Sequence, residues 1–259
     1  MPQIRAKKSL GQNFLNSPTI IKKIVTTSGI TAQDKVLEIG PGLGALTTKL
    51  IETAKEVLAL ELDQTLIPIL EEKFPKPQTS NLTILHQDAL KFDPSTHPIT
   101  KDAYHIVANI PYYITSPLIT HFVTSKNPPK SLTLLVQKEV AEKVCAQTPS
   151  RPKLKHSILS IQTQLYAKPR LAFKIAAKHF SPKPKVDSMV IHLETHPKPL
   201  YKNPEKILTL AKQAFSGKRK KLSNTLKNPP NFPDFTLPEK FKDLRPEHLS
   251  LKDWETLAS

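Results

Sequence analysis

Val36-Leu37-Glu38-Ile39-Gly40-Pro41-Gly42-Leu43-Gly44 carries three of the six glycines of the chain within five residues. An apolar run leads into it and a helix-like stretch, 45–53, follows. A strand that ends in closely spaced glycines and turns into a helix brings backbone N–H groups up to a ligand. Glycine adopts positive φ and has no side chain to obstruct the approach. The nonapeptide therefore reads as the end of a first strand with a nucleotide-like site beside it.

Outward from that turn, apolar runs at 36–39, 57–62, 82–86, 106–108 and 132–137 alternate with helix-like segments at 45–53, 64–73, 117–124 and 138–145. This βαβα order predicts a mostly parallel sheet covered on both faces. Ahead of the first strand, Ser17-Pro18 followed by Ile20, Ile21, Ile24 and Val25 and closed by Gly29 reads as a capped amphipathic helix. Two later strands, 172–175 and 189–193, joined through a proline-rich segment, are expected to form an antiparallel edge. From His196-Pro197-Lys198-Pro199 onward strand patterns stop and short helices remain. The expected fold is α/β: a Rossmann-like domain with an N-terminal arm over residues 1–196 and a small helical domain over 197–259.

The 38 Lys+Arg against 22 Asp+Glu give a net charge of +16, unevenly placed. No acid precedes Asp34, and none lies between Glu142 and Asp187, a stretch that carries Lys143, Arg151, Lys153, Lys155, Lys168, Arg170, Lys174, Lys178, Lys183 and Lys185. Long one-signed stretches favour a polyanionic partner, nucleic acid before an anionic membrane surface. The single cysteine, Cys145, excludes an intrachain disulfide and a cysteine-based zinc site, and no metal is expected. With no apolar run of membrane-spanning length and no export signal, the default location is cytoplasmic and the default state a monomer.

Glu61 stands 21 residues after Gly40, at the end of the second strand, where an acid accepts hydrogen bonds from ribose hydroxyls. Asp88 ends the third strand at the same sheet edge and is placed to hold an adenine amino group; the plain alternative is a helix N-cap. No Gly-Lys-Ser/Thr follows the glycines, which excludes a P-loop. Ala45-Leu46 stand where a dinucleotide site would complete G-x-G-x-x-G. The G-x-G-x-G spacing with Glu38 before it resembles the S-adenosyl-L-methionine site of Rossmann-like methyltransferases. After the fourth strand comes Asn109-Ile110-Pro111-Tyr112. A side-chain amide and backbone carbonyls accept hydrogen bonds from an exocyclic amine while an aromatic ring stacks on its base. This tetrapeptide resembles the N-[LIP]-P-[YF] motif of methyltransferases acting on amino groups of adenine or cytosine.

Lys7-Lys8-Ser9-Leu10-Gly11-Gln12-Asn13-Phe14-Leu15, the glycine turn, Glu61, Asp88, Asn109-Ile110-Pro111-Tyr112, Val136-Gln137-Lys138-Glu139-Val140 and Phe180-Ser181-Pro182-Lys183-Pro184-Lys185-Val186-Asp187-Ser188 together resemble, in order, the signature blocks of the ribosomal RNA adenine dimethyltransferases. The small-subunit branch is the nearer, because its C-terminal block resembles 214–226, with Lys218-Arg219-Lys220-Lys221. Residues 151–160 depart from the family: His156-Ser157 stands where a Tyr-Gly pair is expected before Leu159-Ser160.

The resemblance implies roles. Asn13 and Leu15 would close over S-adenosylmethionine, Gly40 would lie against its methionine part, Glu61 would bind the ribose and Asp88 the adenine. Asn109 would touch both donor and target amine, Tyr112 would stack on a flipped adenine, and Phe180 would be the second wall of that stack. The implied activity is dimethylation at N6 of two adjacent adenines in small-subunit rRNA within an assembling subunit, with the C-terminal domain binding RNA. A large-subunit rRNA methyltransferase of the antibiotic-resistance type, a DNA adenine methyltransferase and a ribosome-assembly RNA-binding factor are the rival readings.

Overall fold

A computed structural model of the protein describes residues 6, 7, 10–217 and 219–259; Lys8, Ser9 and Lys218 of the blocks quoted above lie outside them. The chain divides into two compact units, one from residues 1–141 and 170–195, the other from Glu142–Pro169 and His196–Ser259.

The first unit is built on a seven-stranded sheet. In chain order its elements begin with β1 (Phe14–Leu15), α1 (Pro18–Ser28), β2 (Lys35–Ile39), α2 (Ala45–Thr53), β3 (Glu56–Glu61), α3 (Ile67–Lys73), β4 (Leu82–His86) and β5 (Tyr104–Asn109). The chain continues with α4 (Thr115–Val123), β6 (Ser131–Gln137), α5 (Lys138–Val144), α6 (Ile158–Tyr166), which belongs to the second unit, and then β7 (Ala167–Ile175), β8 (Phe180–Ser181) and β9 (Ser188–Thr195). Strand order is β4-β3-β2-β5-β6-β9-β7, parallel from β4 to β6, with β9 antiparallel to β6. Val36, Leu37, Val57, Leu58, Ile106, Val107, Leu132 and Leu134 are fully buried, as strands covered on both faces require. The late strands thus form the edge beyond β6, with β9 antiparallel to β6 and β7 outermost, five residues longer at its start than the sequence pattern predicts.

A separate two-stranded ladder pairs β1 with β8, Phe14 opposite Ser181 and Leu15 opposite Phe180. No sequence periodicity reveals strands this short. Asn16 N–H extends the ladder to the carbonyl of His179 at 3.0 Å.

The second unit is helical, with α6, α7 (Pro204–Phe215), α8 (Leu222–Thr225) and α9 (Leu251–Ala258). It takes in 142–169, which a boundary near 197 leaves to the sheet domain. The reason is packing: Ile161 and Leu165 of α6 share one core with Ile207, Leu210, Ala214, Leu222 and Trp254. Ser157, at the departure from the family pattern, caps α6 in a reciprocal capping box with Ser160, and Ser250 with Asp253 does the same for α9.

Trp254 is fully buried, and its indole N–H has no partner. Trp254→Ala is expected to cost about 3–5 kcal/mol in urea unfolding followed by circular dichroism. Trp254→Phe gives up no hydrogen bond and is expected to cost less than about 1.5 kcal/mol. Equal losses in the two variants would mean that ring volume is not what this position contributes.

Candidate active site

Strand order reverses between β2 and β5, and there the carboxyl ends of neighbouring strands open a crevice of the kind that receives ligands in open α/β sheets. A cavity of about 250 Å³ fills it. Glu38 and Gly40 reach it from the end of β2, Glu61 from β3, Asp88 from beyond β4, Asn109 from β5, Tyr112 from the following turn, and Asn13 and Leu15 from the N-terminal arm. Seven of the eight site residues expected from sequence therefore line one space.

The glycine loop is held open by its own backbone and by β3. Gly40, Gly42 and Gly44 all have positive φ, and Gly40 N–H donates to the carbonyl of Leu60 at 2.9 Å. Gly44 is also tight: a Cβ there would fall 2.5 Å from the Phe74 ring. Gly42 N–H donates to Glu61 Oε2 at 3.0 Å, and Asp63 N–H donates to Glu61 Oε1 at 2.8 Å. Glu61 is 5% exposed; burial lifts its carboxyl above the ordinary range, against the pull of those two N–H donors.

Glu38 is 1% exposed, and neither carboxyl oxygen completes a hydrogen bond of ordinary geometry, although the Thr47 hydroxyl and N–H lie close enough to favour its ionised form. Burial pushes it up to about 8. A buried carboxyl with no completed hydrogen bond, facing a cavity, is a site for a ligand cation. Nearby, Lys73 Nζ donates to the carbonyl of Leu43 at 2.8 Å and so braces the glycine loop from α3.

Asp88 Oδ1 accepts from Leu90 N–H at 2.9 Å, so it caps its turn as well as lining the cavity. Asn109 Nδ2 donates to the backbone carbonyl of Asn13 at 3.1 Å, joining the arm to β5. The Tyr112 hydroxyl and Ser188 Oγ lie 2.6 Å apart, which anchors the Tyr112 phenol to β9; burial raises its pKa. Ser188 stands in the last quoted block, and only the fold shows what it touches.

Phe180 is placed differently from the expectation of a second stacking wall. Opposite Leu15 in the β1–β8 ladder, it is 5% exposed in the hydrophobic cluster beneath the arm and does not line the cavity. Its apolar ring is buried against Leu15 and its neighbours, so it supports the arm from behind. The aromatic at the rim is Tyr113, 58% exposed.

Among the described residues, no three or more His, Cys, Asp or Glu are grouped as a metal ion would need. No helix among them is long and apolar enough to cross a membrane. The one-signed basic stretch is partly paired: Arg151 meets Glu142 at 3.2 Å, Lys155 meets Glu247 at 3.6 Å and Lys174 meets Asp187 at 2.7 Å.

Residues 3–237 match the family model described as ribosomal RNA adenine dimethylase. The chain is 40% identical over 229 residues to a ribosomal RNA small subunit methyltransferase A of Clostridium botulinum (strain ATCC 19397 / Type A), covering 87% of this chain and 81% of that protein. It is 40% identical over 226 residues to the Enterococcus faecalis protein of the same name, covering 85% and 75%. Among solved structures, a dimethyladenosine transferase from Plasmodium falciparum superposes with a TM-score of 0.78 at 28% identity, over 94% of this chain and 95% of that one. The 23S rRNA methyltransferase ErmE superposes with a TM-score of 0.73 at 25% identity, over 95% and 98%.

Unfolded, Glu38 ionises near its ordinary value of 4.5; folded, near 8. Between those values the folded protein keeps a proton that the unfolded chain has lost, so raising the pH favours unfolding. The protein alone is expected to lose stability across that window, and Glu38→Gln to remove part of the slope. Urea midpoints at a series of pH values measure both, and parallel profiles would contradict a protonated Glu38.

Proposed function

The chain belongs to the ribosomal RNA adenine dimethylase family, and we therefore propose that it transfers methyl groups from S-adenosyl-L-methionine to N6 of two adjacent adenines in small-subunit rRNA. It acts as a monomer in the cytoplasm, on an assembling small ribosomal subunit. One juxtaposition carries the reading: a buried acid suited to a ribose, Glu61, shares a cavity with the Asn109-Ile110-Pro111-Tyr112 turn suited to an amino-bearing base. The names of the relatives favour the small subunit over the large.

The residues present fit the donor. The orphaned Glu38 carboxyl matches the ammonium of its methionine part, beside Gly40. Glu61 takes the ribose hydroxyls, Asp88 the adenine amine, and Asn13 and Leu15 cover the whole. When bound, the donor supplies an electrophilic methyl carbon on a sulfonium. Asn109 receives the target amine and Tyr112, its hydroxyl tied to Ser188, offers its ring to the flipped base. The N6 lone pair forms a bond to the methyl carbon as the carbon–sulfur bond breaks, S-adenosylhomocysteine leaves, and the extra proton on nitrogen passes to water. No strong base is needed, so the protein contributes mainly position. For the second methyl, N6-methyladenine must enter with its methyl turned away from the donor. Basic side chains, including the exposed Arg219 and Lys220, meet rRNA phosphates.

Incubation with labelled S-adenosylmethionine and unmethylated small subunits, large subunits, naked rRNA or DNA tests the assignment. The expected product is N6,N6-dimethyladenine in small-subunit rRNA, and its absence would falsify the proposal. Asn109→Ala is expected to lower turnover about a hundredfold with the RNA still bound; wild-type turnover would remove Asn109 from the reaction. Subunit maturation supported fully by a variant that binds RNA and transfers no methyl would favour an assembly role.

A further inference from the structure

We propose that Asp63 is a positioning residue that latches the N-terminal arm over the methyl donor and so sets how fast donor and product leave. The inference rests on the reading of the cavity as the donor site. Asp63 lies two residues beyond Glu61 and is 4% exposed. Its Oδ1 accepts from Lys7 Nζ at 2.6 Å and its Oδ2 from Gln12 Nε2 at 2.9 Å, groups 56 and 51 residues away in sequence. Lys7 N–H donates to Gln12 Oε1 at 2.8 Å, which ties the two arm residues to each other. Thr65 donates to Oδ1 through both its backbone N–H and its hydroxyl, at 3.1 and 2.6 Å. Capping the local turn accounts for Thr65 alone. It leaves Lys7 and Gln12 unexplained.

The same aspartate faces the donor site through its backbone, since Asp63 N–H donates to Glu61 Oε1 at 2.8 Å. From the Asp63 anchor the arm runs along the cavity. Gly11, at φ +59°, lies so close to Tyr113 that a Cβ would meet its ring at 3.3 Å. Asn13 receives the Asn109 amide, and β1 then pairs with β8. The arm is thus fastened on both sides of the space it covers. A molecule beneath it leaves when one fastening opens. On the β1–β8 side Leu15 and Phe180 are buried in the core, whereas the Lys7 side chain is 43% exposed, so the Asp63 side opens first.

Release of S-adenosylhomocysteine from the full-length protein, without RNA, tests this by stopped-flow displacement, with Kd from calorimetry. Lys7→Met is expected to speed release and raise Kd about tenfold, one charge-assisted hydrogen bond's worth. Lys7→Arg is expected to restore slow release. Because the two residues share a contact, Lys7→Met and Asp63→Asn together should speed release by less than the product of their separate effects, the part specific to Asp63→Asn being the bond to Gln12. A thermal midpoint for Lys7→Met close to wild type separates the latch from general loosening. Release by Lys7→Met at the wild-type rate, or strictly additive effects of the two substitutions, would overturn the latch while leaving the donor site intact. Failure of the wild-type protein to bind S-adenosylhomocysteine would overturn both.

Discussion

Glu61 is a nearly buried carboxyl that no cation among the described residues pairs with, and the site is organised around that difficulty. Burying such a group is costly unless donors surround it. Here they are backbone N–H groups, one from the glycine loop after β2 and one from the turn after β3. Meeting them fixes the height of the loop against the neighbouring strand. The loop conformation, the turn that carries Asp63 and through it the position of the arm all follow from one acceptor.

The sheet decides where such a site is able to exist. Parallel strands buried on both faces leave only their ends accessible, and the reversal of order between β2 and β5 parts two of those ends. Glu38 shows the consequence. It stands between the buried Leu37 and Ile39 of β2, one position before the strand's last, and its carboxyl completes no hydrogen bond of ordinary geometry in the protein alone. A residue kept at such a cost belongs to the ligand's chemistry more than to the fold's.

The crevice was legible from sequence in part, because four of the residues that line it sit at or just past the ends of apolar runs. Gly40 follows β2, Glu61 and Asn109 close β3 and β5, and Asp88 comes two residues after β4; a strand end is the most readable landmark in a buried parallel sheet. Three things were not. The start of β7 alternates exposed Lys168 and Arg170 with buried neighbours, the signature of an outer strand, and so lacks an apolar run. The helical unit is discontinuous: α6 is followed by β7, β8 and β9 before the unit resumes at His196, and linear composition does not reveal that Ile161 and Leu165 pack with residues past 200. The family resemblance implies that Phe180 is the second wall of the base stack. Its environment is set instead by a two-residue ladder with the arm, a long-range pairing that leaves no periodic trace.

That ladder also has a bearing on synthesis. The floor of the pocket, from β2 to β5, is complete once residue 109 is made, but the strand that secures the arm waits for residues 180 and 181. Contacts between such distant positions are the slowest to form, because the intervening chain must first be ordered. During translation the protein therefore passes through a stage in which the cradle residues are made and the arm is held only from its Asp63 and Asn109 side. Nascent chains should acquire a durable grip on small ligands only in the last third of their elongation.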